Sequence, residues 1–340
     1  MTPSLRGRET IILSGARPII SLASLPTAII LLSKIEIETT DGSLIIIPLF
    51  GTKTKVLVVQ HTFGIPARME EILRIAKTHK LFVIEDCAHA TGLKYKNKLL
   101  GTFGDAAFFS FGRDKMISSV FGGMAVTADK ILASKIKEYQ KSLEFPNTFW
   151  IFSQLIYSPL IFLIVQTYQL FYFGKVLHFL TKKLNLLSKA VANIEKKGQK
   201  PTYFPKKLPS SLASLALLQL GRLDEFHLSR LEAVNFYSKL GNLPITYPPR
   251  DIPLLRYTVL TKDRDKIKNF MKRYGVYLDT WYDSPIAPKD TDFSAIGYSL
   301  GSCPMAEKLA KESLNLPTNP NLSEKEIQYV ANVLQKYYAS

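Results

Sequence analysis

Cysteine is almost missing from this chain, with two in 340 residues, Cys87 and Cys303. Two thiols make no disulfide framework, and neither has other ligating residues around it at metal-site spacing, so no bound metal is expected. A reducing, cytoplasmic compartment suits such usage. Paired Cys/His sets and the aromatic signature of an RNA-binding sheet are absent as well, so no nucleic-acid partner is expected. There is no internal repeat and no low-complexity tract. The N-terminal MTPSLRGRETIILSGARPII carries Arg17 inside its apolar run and lacks a small-residue cleavage site, so it does not read as a signal peptide.

Negative charge is scarce too. The 28 acidic residues stand against 44 Lys and Arg, a net charge of +16. The surplus is uneven. Between Lys175 and Lys207 there are nine basic residues and one acidic, Glu195, so half the excess sits in about a tenth of the chain. Such a local patch predicts a surface-binding segment and not a wholly basic protein. Just before it, residues 145–174 contain no Asp, Glu, Lys, Arg or His. That length would cross a bilayer as a helix, but Gln154, Gln166, Gln169 and Pro159 make a span costly. Three readings stand: a helical hairpin packed on its own domain or on a dimer mate, docking at an anionic membrane surface, and a true span.

What is present is globular in composition, 46% hydrophobic and 21% charged, enough for one large or two ordinary domains. KVLVVQ (55–60) and LFVIED (81–86) are short apolar runs of buried-strand type. Between them Met69, Ile72, Leu73, Ile75 and Ala76 recur at helical spacing. DAAFFSF (105–111) and MAVTAD (124–129) read as further strands, with Asp129 capping a helix that runs to Leu143. This rhythm predicts an α/β fold with a mainly parallel sheet, crossover helices and a smaller C-terminal α/β lobe, whose ligands gather at the carboxyl ends of the strands. Beyond a Pro/Lys connector, residues 210–240 read as one long amphipathic helix, 254–260 as a strand and 263–275 as a helix closed by Gly275. Ser323 to Glu326 is a capping box opening the last helix.

Asp86, His89, Ser110 and Lys115 all fall at those strand ends. They match what an aldehyde-bearing pyridine cofactor needs: an amine to bond the aldehyde, and a carboxylate to hold the ring nitrogen protonated. A flat group over the ring and a hydroxyl for the phosphate complete the set. On spacing alone each residue has an ordinary alternative. Lys115 would be a solvated loop charge, Asp86 a turn cap, His89 a half-buried histidine and Ser110 a turn hydroxyl.

The run VIEDCAHATGLKYKNKLLGTFGDAAFFSFGRDKMISSVFGGMAVT resembles the DegT/StrS family of pyridoxal-phosphate sugar aminotransferases. The shared pattern is hydrophobic-Glu-Asp-x-Ala-(Gln/His)-Ala, then Gly-x-x-Gly-Asp-Ala-x-x-Phe-Ser-Phe, then Lys and a Gly-Gly pair. Residues 50–143 and 205–340 carry the likeness. It implies a PLP-transferase fold type I, similar to aspartate aminotransferase, with pyridoxal 5′-phosphate as cofactor. Lys115 is implied to bond the aldehyde, Asp86 to pair with the ring nitrogen, His89 to lie against the ring and Ser110 to hold the phosphate. Gly122 and Gly123 would let the backbone approach closely behind the lysine, and His61 and Tyr282 are substrate-side candidates, with Trp281 beside them. The implied domains are a partial cofactor-binding large domain (1–144), the uncharged insert and basic connector (145–204), and a small C-terminal domain (205–340).

The implied reaction moves an amino group, from glutamate, to a nucleotide-linked keto-sugar for envelope polysaccharide or amino-sugar synthesis, in a homodimer. Lys115 argues against the family's dehydratase branch, where a histidine takes its place. Two departures stand out. The family's Ser-Gly-Thr-type phosphate loop has no counterpart upstream of GARPI (15–19), and residues 20–50 align poorly, so the chain reads as N-terminally incomplete. Pro205 stands where the family has an asparagine that reaches the partner's site. Two further expectations therefore compete with the sugar aminotransferase: a catalytically silent member docking on a membrane or protein partner, and the same cofactor acting on a free amino acid.

Overall fold

The computed structural model describes residues 9–13, 28–33, 54–168, 170–183, 191–201, 204–241, 243–245, 248 and 251–340. The GARPI segment, and most of 20–50, lie outside them.

Six strands form the main sheet: β1 (Glu9–Leu13), β2 (Ala28–Ser33), β3 (Thr54–Gln60), β4 (Phe82–Asp86), β7 (Ala106–Ser110) and β8 (Gly123–Thr127), in the order β1-β8-β7-β4-β3-β2. The pairs β2–β3, β3–β4 and β4–β7 are parallel, as the continuous apolar runs predict. The sheet is mainly parallel, as expected, with β8 alone running antiparallel to its neighbours β7 and β1 among the described strands. The twelve residues joining β7 to β8 hold no crossover helix, and the chain turns back beside the strand it left. A small hairpin, β5 (Lys94–Tyr95) and β6 (Lys98–Leu99), lies between β4 and β7. Its Lys96 and Asn97 both have positive φ, 47° and 64°, as a tight two-residue turn requires.

Helix α1 (Met69–Thr78) crosses between β3 and β4 and buries Met69, Ile72 and Ala76 against Leu57, Val59 and Val83. These stack on one face of the sheet. Strand alternation and register put Gln60, Asp86, Phe108 and Ser110 on the other. Helix α2 (Lys130–Ser142) starts as predicted, with Asp129 accepting from the N–H groups of Ile131 and Leu132 at 2.7 and 3.0 Å. The uncharged stretch forms α3 (Thr148–Leu155) and α4 (Tyr157–Gln166), and α5 (Phe173–Lys183) folds back on α4.

The expected single helix over 210–240 is two, α6 (Ser210–Leu220) and α7 (Leu223–Tyr237). Gly221 weakens the helix there, and Arg222 leaves helical geometry at φ −104°, ψ 10°, while its guanidinium forks onto Glu225 at 2.7 and 2.9 Å. Strand β9 (Tyr257–Leu260) and helix α8 (Arg264–Arg273) follow as read. The segment between α9 (Pro304–Glu312) and α10 (Glu324–Ala339) contains a fully buried strand, β10 (Ser313–Leu316), antiparallel to β9. Its Asn315 donates from Nδ2 to Thr258 Oγ1 at 2.8 Å, so a polar residue is tolerated there. Tyr257, Val259, Leu314 and Leu316 are wholly buried with Ile267, Met271 and Leu334, each such side chain contributing about 1.5–3 kcal/mol. The Ser323–Glu326 capping box is present.

Specific bonds hold the C-terminal elements on the sheet. Leu255 N–H donates to Phe63 O at 2.8 Å, Ser118 N–H to Gln219 Oε1 at 2.9 Å and His227 Nε2 to Thr91 O at 3.0 Å. Buried Arg230 on α7 donates from Nη1 to the carbonyls of Leu255 and Thr318 at 3.2 and 3.0 Å. Burial pulls its pKa down to about 10.

Candidate active site

The loop between β7 and β8 presents Lys115, and its geometry is over-determined. Met116 and Ile117 are buried immediately after the lysine. Phe111 N–H bonds Gly122 O at 2.8 Å, and Ser119 N–H bonds Phe111 O at 3.0 Å. Val120 is held at φ 69°, a costly conformation for a β-branched residue, while its N–H donates to Ser118 Oγ at 3.0 Å. Gly122 has φ +135°, and a Cβ there would lie 2.9 Å from Leu208 Cδ1. The bend therefore fixes where the half-buried Lys115 starts, and its Nζ sits 5.3 Å from the Trp281 ring centroid.

Ser110 closes β7, and its Oγ accepts from Gly112 N–H at 3.3 Å. A Cβ on Gly112 would meet Ser110 Oγ at 3.4 Å and Lys115 Cγ and Cε at 3.7 and 3.9 Å, so hydroxyl and lysine flank one point. Asp86 ends β4 on the same face, 2% exposed, its Oδ1 accepting from Ala88 N–H at 2.9 Å and its Oδ2 from Gln60 Nε2 at 2.7 Å. Burial raises the Asp86 pKa, and the Ala88 and Gln60 bonds and the Lys115 charge only partly offset it. His89 is buried with Nδ1 accepting from Phe63 N–H at 3.1 Å. Its ring lies nearly parallel to Phe63 (5.8 Å, 13°) and against Trp281 (5.3 Å) and Tyr282 (6.2 Å, 24°). Arg256 joins from the C-terminal side, its guanidinium 5.1 Å from the Trp281 ring and 3.1 Å from Asp279 Oδ2.

The structure thus brings Asp86, His89, Ser110, Lys115 and Tyr282 to one region. His61 is elsewhere. It is wholly buried, accepts Ala67 N–H on Nδ1 at 3.1 Å, and therefore donates from Nε2 to Glu85 Oε2 at 3.3 Å. Glu85 faces away from Asp86 and also accepts from Gly101, Phe103 and Gly104 N–H groups at 2.7–2.8 Å. Burial alone would raise its pKa, but the bonds from His61, Gly104 and Gly101 hold it below the ordinary glutamate range. His61, Glu85 and Cys87 offer ligand atoms within 4.8 Å of one another. The protons just described already occupy the imidazole and the carboxylate, and burial pushes the Cys87 thiol well up. Glu85, Gln60 and Arg256 escaped the sequence reading. The adjacent pair of carboxylates was the signal for Glu85, since strand alternation must send one to each face.

The sequence profile described as the DegT/DnrJ/EryC1/StrS aminotransferase family matches residues 10–145 and 181–335. The match takes in 20–50, expected to align poorly, and leaves out 146–180. The chain is 29% identical over 297 residues to the pleiotropic regulatory protein of Geobacillus stearothermophilus, covering 84% of this chain and 66% of that one. It is 26% identical over 295 residues to the GDP-perosamine synthase of Escherichia coli O157:H7, with the same coverage. It therefore spans just under two thirds of the length of these relatives. Among solved structures it is similar to Helicobacter pylori PseC, an aminotransferase involved in the biosynthesis of pseudoaminic acid. That likeness has a TM-score of 0.61 and 20% identity, covering 86% of this chain and 69% of that one. Streptomyces venezuelae DesV gives 0.60 and 23%, covering 86% and 67%. At such identities these structural likenesses show the fold, fold type I of the pyridoxal-phosphate transferases. With the profile matched over both segments, the chain belongs to the DegT/DnrJ/EryC1/StrS aminotransferase family.

Proposed function

We propose that this chain carries the site of a pyridoxal 5′-phosphate-dependent aminotransferase that moves an amino group, from glutamate, to a nucleotide-linked keto-sugar in amino-sugar or envelope-polysaccharide synthesis. The carrying observation is that Asp86 and Ser110 share one sheet face while Lys115 meets Ser110 at the strand ends. The donor set fits the cofactor. Asp86 is buried with a raised pKa and would gain from a cationic ring N–H, which replaces charge stabilisation that burial removed. Ser110 Oγ and the Gly112 N–H lie beside the lysine, where a phosphate would need donors. Bound there, the cofactor supplies a ring that accepts the electrons left when a proton leaves the amino-bearing carbon.

The chain's own residues do the rest. Lys115 would hold the cofactor through its Nζ, and the same amine, once freed, would accept the proton that leaves the amino-bearing carbon. His89, oriented by Phe63 N–H, offers a flat wall. Trp281 and Tyr282 close the region towards the C-terminal lobe, excluding water and lining the substrate side. The names of relatives support the substrate class. GDP-perosamine synthase and the dTDP-3-amino-3,6-dideoxy-alpha-D-galactopyranose transaminase of Aneurinibacillus thermoaerophilus both point to nucleotide sugars. In this reading residues 1–144 carry the cofactor contacts, 145–204 are the insert and connector, and 205–340 face the substrate. Exposed Leu217, Leu218 and Leu228 on α6 and α7 support a second copy as partner. A cytoplasmic site of action fits the two free thiols. His61 has no substrate role in this reading.

Purified protein mixed with pyridoxal 5′-phosphate is expected to show a visible absorbance band that glutamate bleaches, and Lys115→Ala is expected to lack it. A colourless wild type contradicts the reading.

A further inference from the structure

Residues 146–180 lie between the two segments that the family profile matches. We propose that α4 and α5 form a re-entrant hairpin that docks the protein on one leaflet of an anionic bilayer. This stands independently of the aminotransferase reading.

The hairpin is built to stay closed and to stay uncovered. Gly174 lets α5 start hard against the end of α4, since a Cβ there would come within 2.7 Å of the Thr167 carbonyl carbon and Tyr168 Cα. Of Thr148–Gln166, only Ser153, Gln154 and Ile164 are buried. Leu170, Phe171, Tyr172 and Phe173 make an exposed tip, with Phe171 at 93%. Lys175 follows the tip, exposed, with its ammonium 4.4 and 5.5 Å from the Tyr172 and Tyr168 rings, and Lys183 is exposed at the end of α5. The tip thus sets exposed apolar and aromatic side chains beside an ammonium group, the combination met at the boundary between acyl chains and anionic headgroups.

Connectivity decides how the segment meets the bilayer. Its two ends meet: Lys207 N–H donates to Glu144 O at 2.8 Å and Lys206 pairs with the Glu144 carboxylate at 2.7 Å. The chain before and after the insert forms one body, joined by the bonds from Ser118 to Gln219 and from Leu255 to Phe63. A single crossing would put those halves on opposite sides of the membrane. Two crossings need two apolar arms of about 20 residues, whereas the described part of α5 is 11 residues, roughly 16 Å of helix, and carries Lys175, His178, Lys182 and Lys183. The hairpin therefore enters and leaves by the same side. Its root is rigid: Trp150 packs edge-on against Phe121 (5.4 Å), and Arg113 lies 3.7 Å over Tyr157. Since Arg113 is two residues from Lys115, the site and the bilayer would lie near each other.

The test is flotation of the full chain with phosphatidylcholine vesicles, with and without phosphatidylglycerol. Binding is expected only with the anionic lipid. A drop of about tenfold or more is expected for Lys175→Glu with Lys183→Glu, and likewise for Phe171→Asp with Tyr172→Asp. These side chains are exposed, so unchanged circular dichroism should accompany the loss. Absent flotation overturns the proposal, as does equal binding to both vesicle types. So does a sedimentation result in which Phe171→Asp dissociates a dimer while no vesicle binding exists, which would assign the face to a second copy. Protease protection of residues on the far side of a sealed vesicle would show a span and overturn it too.

Discussion

Glu85 and Asp86 are sequence neighbours with opposite electrostatic settings. Glu85 accepts four hydrogen bonds and has a lowered pKa, whereas Asp86 accepts two from its neighbours and has a raised one. The lowered pKa of Glu85 means its stabilisation is complete above its ordinary value of 4.5 and is lost as pH falls through the folded-state value. Glu85→Gln puts an amide N–H against backbone donors and should cost about 2–4 kcal/mol in denaturant unfolding at neutral pH. It should also flatten the loss of stability that the wild type shows below pH 4.5.

The raised pKa of Asp86 works the other way. Its ionised form is penalised in the fold, so its contribution falls as pH climbs from 3.8 through the folded-state value. Asp86→Asn should therefore change stability by no more than about 1 kcal/mol, with the Gln60 amide flipping to match, while cofactor absorbance is lost. A large fall in stability would make Asp86 a structural residue. Lys115, Asp86, His89 and Ser110 were legible because strand ends collect polar residues and the motif spacing is specific. Gln60 and Arg256 were not, because only register across β3–β4 and the packing of the C-terminal lobe bring them in.

At the scale of elements, the lysine loop is the most constrained piece of the fold. Gly122→Ala would place its methyl 2.9 Å from Leu208 Cδ1 and 3.3 Å from Ser119 Oγ, in a backbone region unfavourable to alanine. A loss of about 1–3 kcal/mol is expected, read as a lower denaturation midpoint at constant slope, together with weaker cofactor retention. The apolar runs of β3, β4 and β7 and the caps of α2 and α10 could be read directly, because burial and capping leave local marks. The antiparallel course of β8 could not, because pairing direction depends on how the connection folds. The α6–α7 break and strand β10 were hidden for related reasons. Gly221 is compatible with a helix, and Ser-Leu-Asn-Leu becomes a strand only when Asn315 finds Thr258 across the ladder.

Across the whole molecule, the site depends on two sequence halves meeting. Asp86 and Ser110 come from the sheet and Lys115 from the loop after β7, while Trp281, Tyr282 and Arg256 arrive from beyond the insert, fastened by Arg230 and the Leu255–Phe63 bond. The insert departs from that body at Glu144 and rejoins it at Lys206–Lys207 without interrupting it. Most directly at stake is the amine at position 115. Borohydride reduction of the protein incubated with pyridoxal 5′-phosphate makes any lysine–cofactor bond permanent, and peptide mass mapping then locates it. Modification of Lys115, absent when Asp86→Asn is treated alike at limiting cofactor, is the predicted result. An unmodified Lys115 peptide, or a label on another lysine in its place, would contradict it.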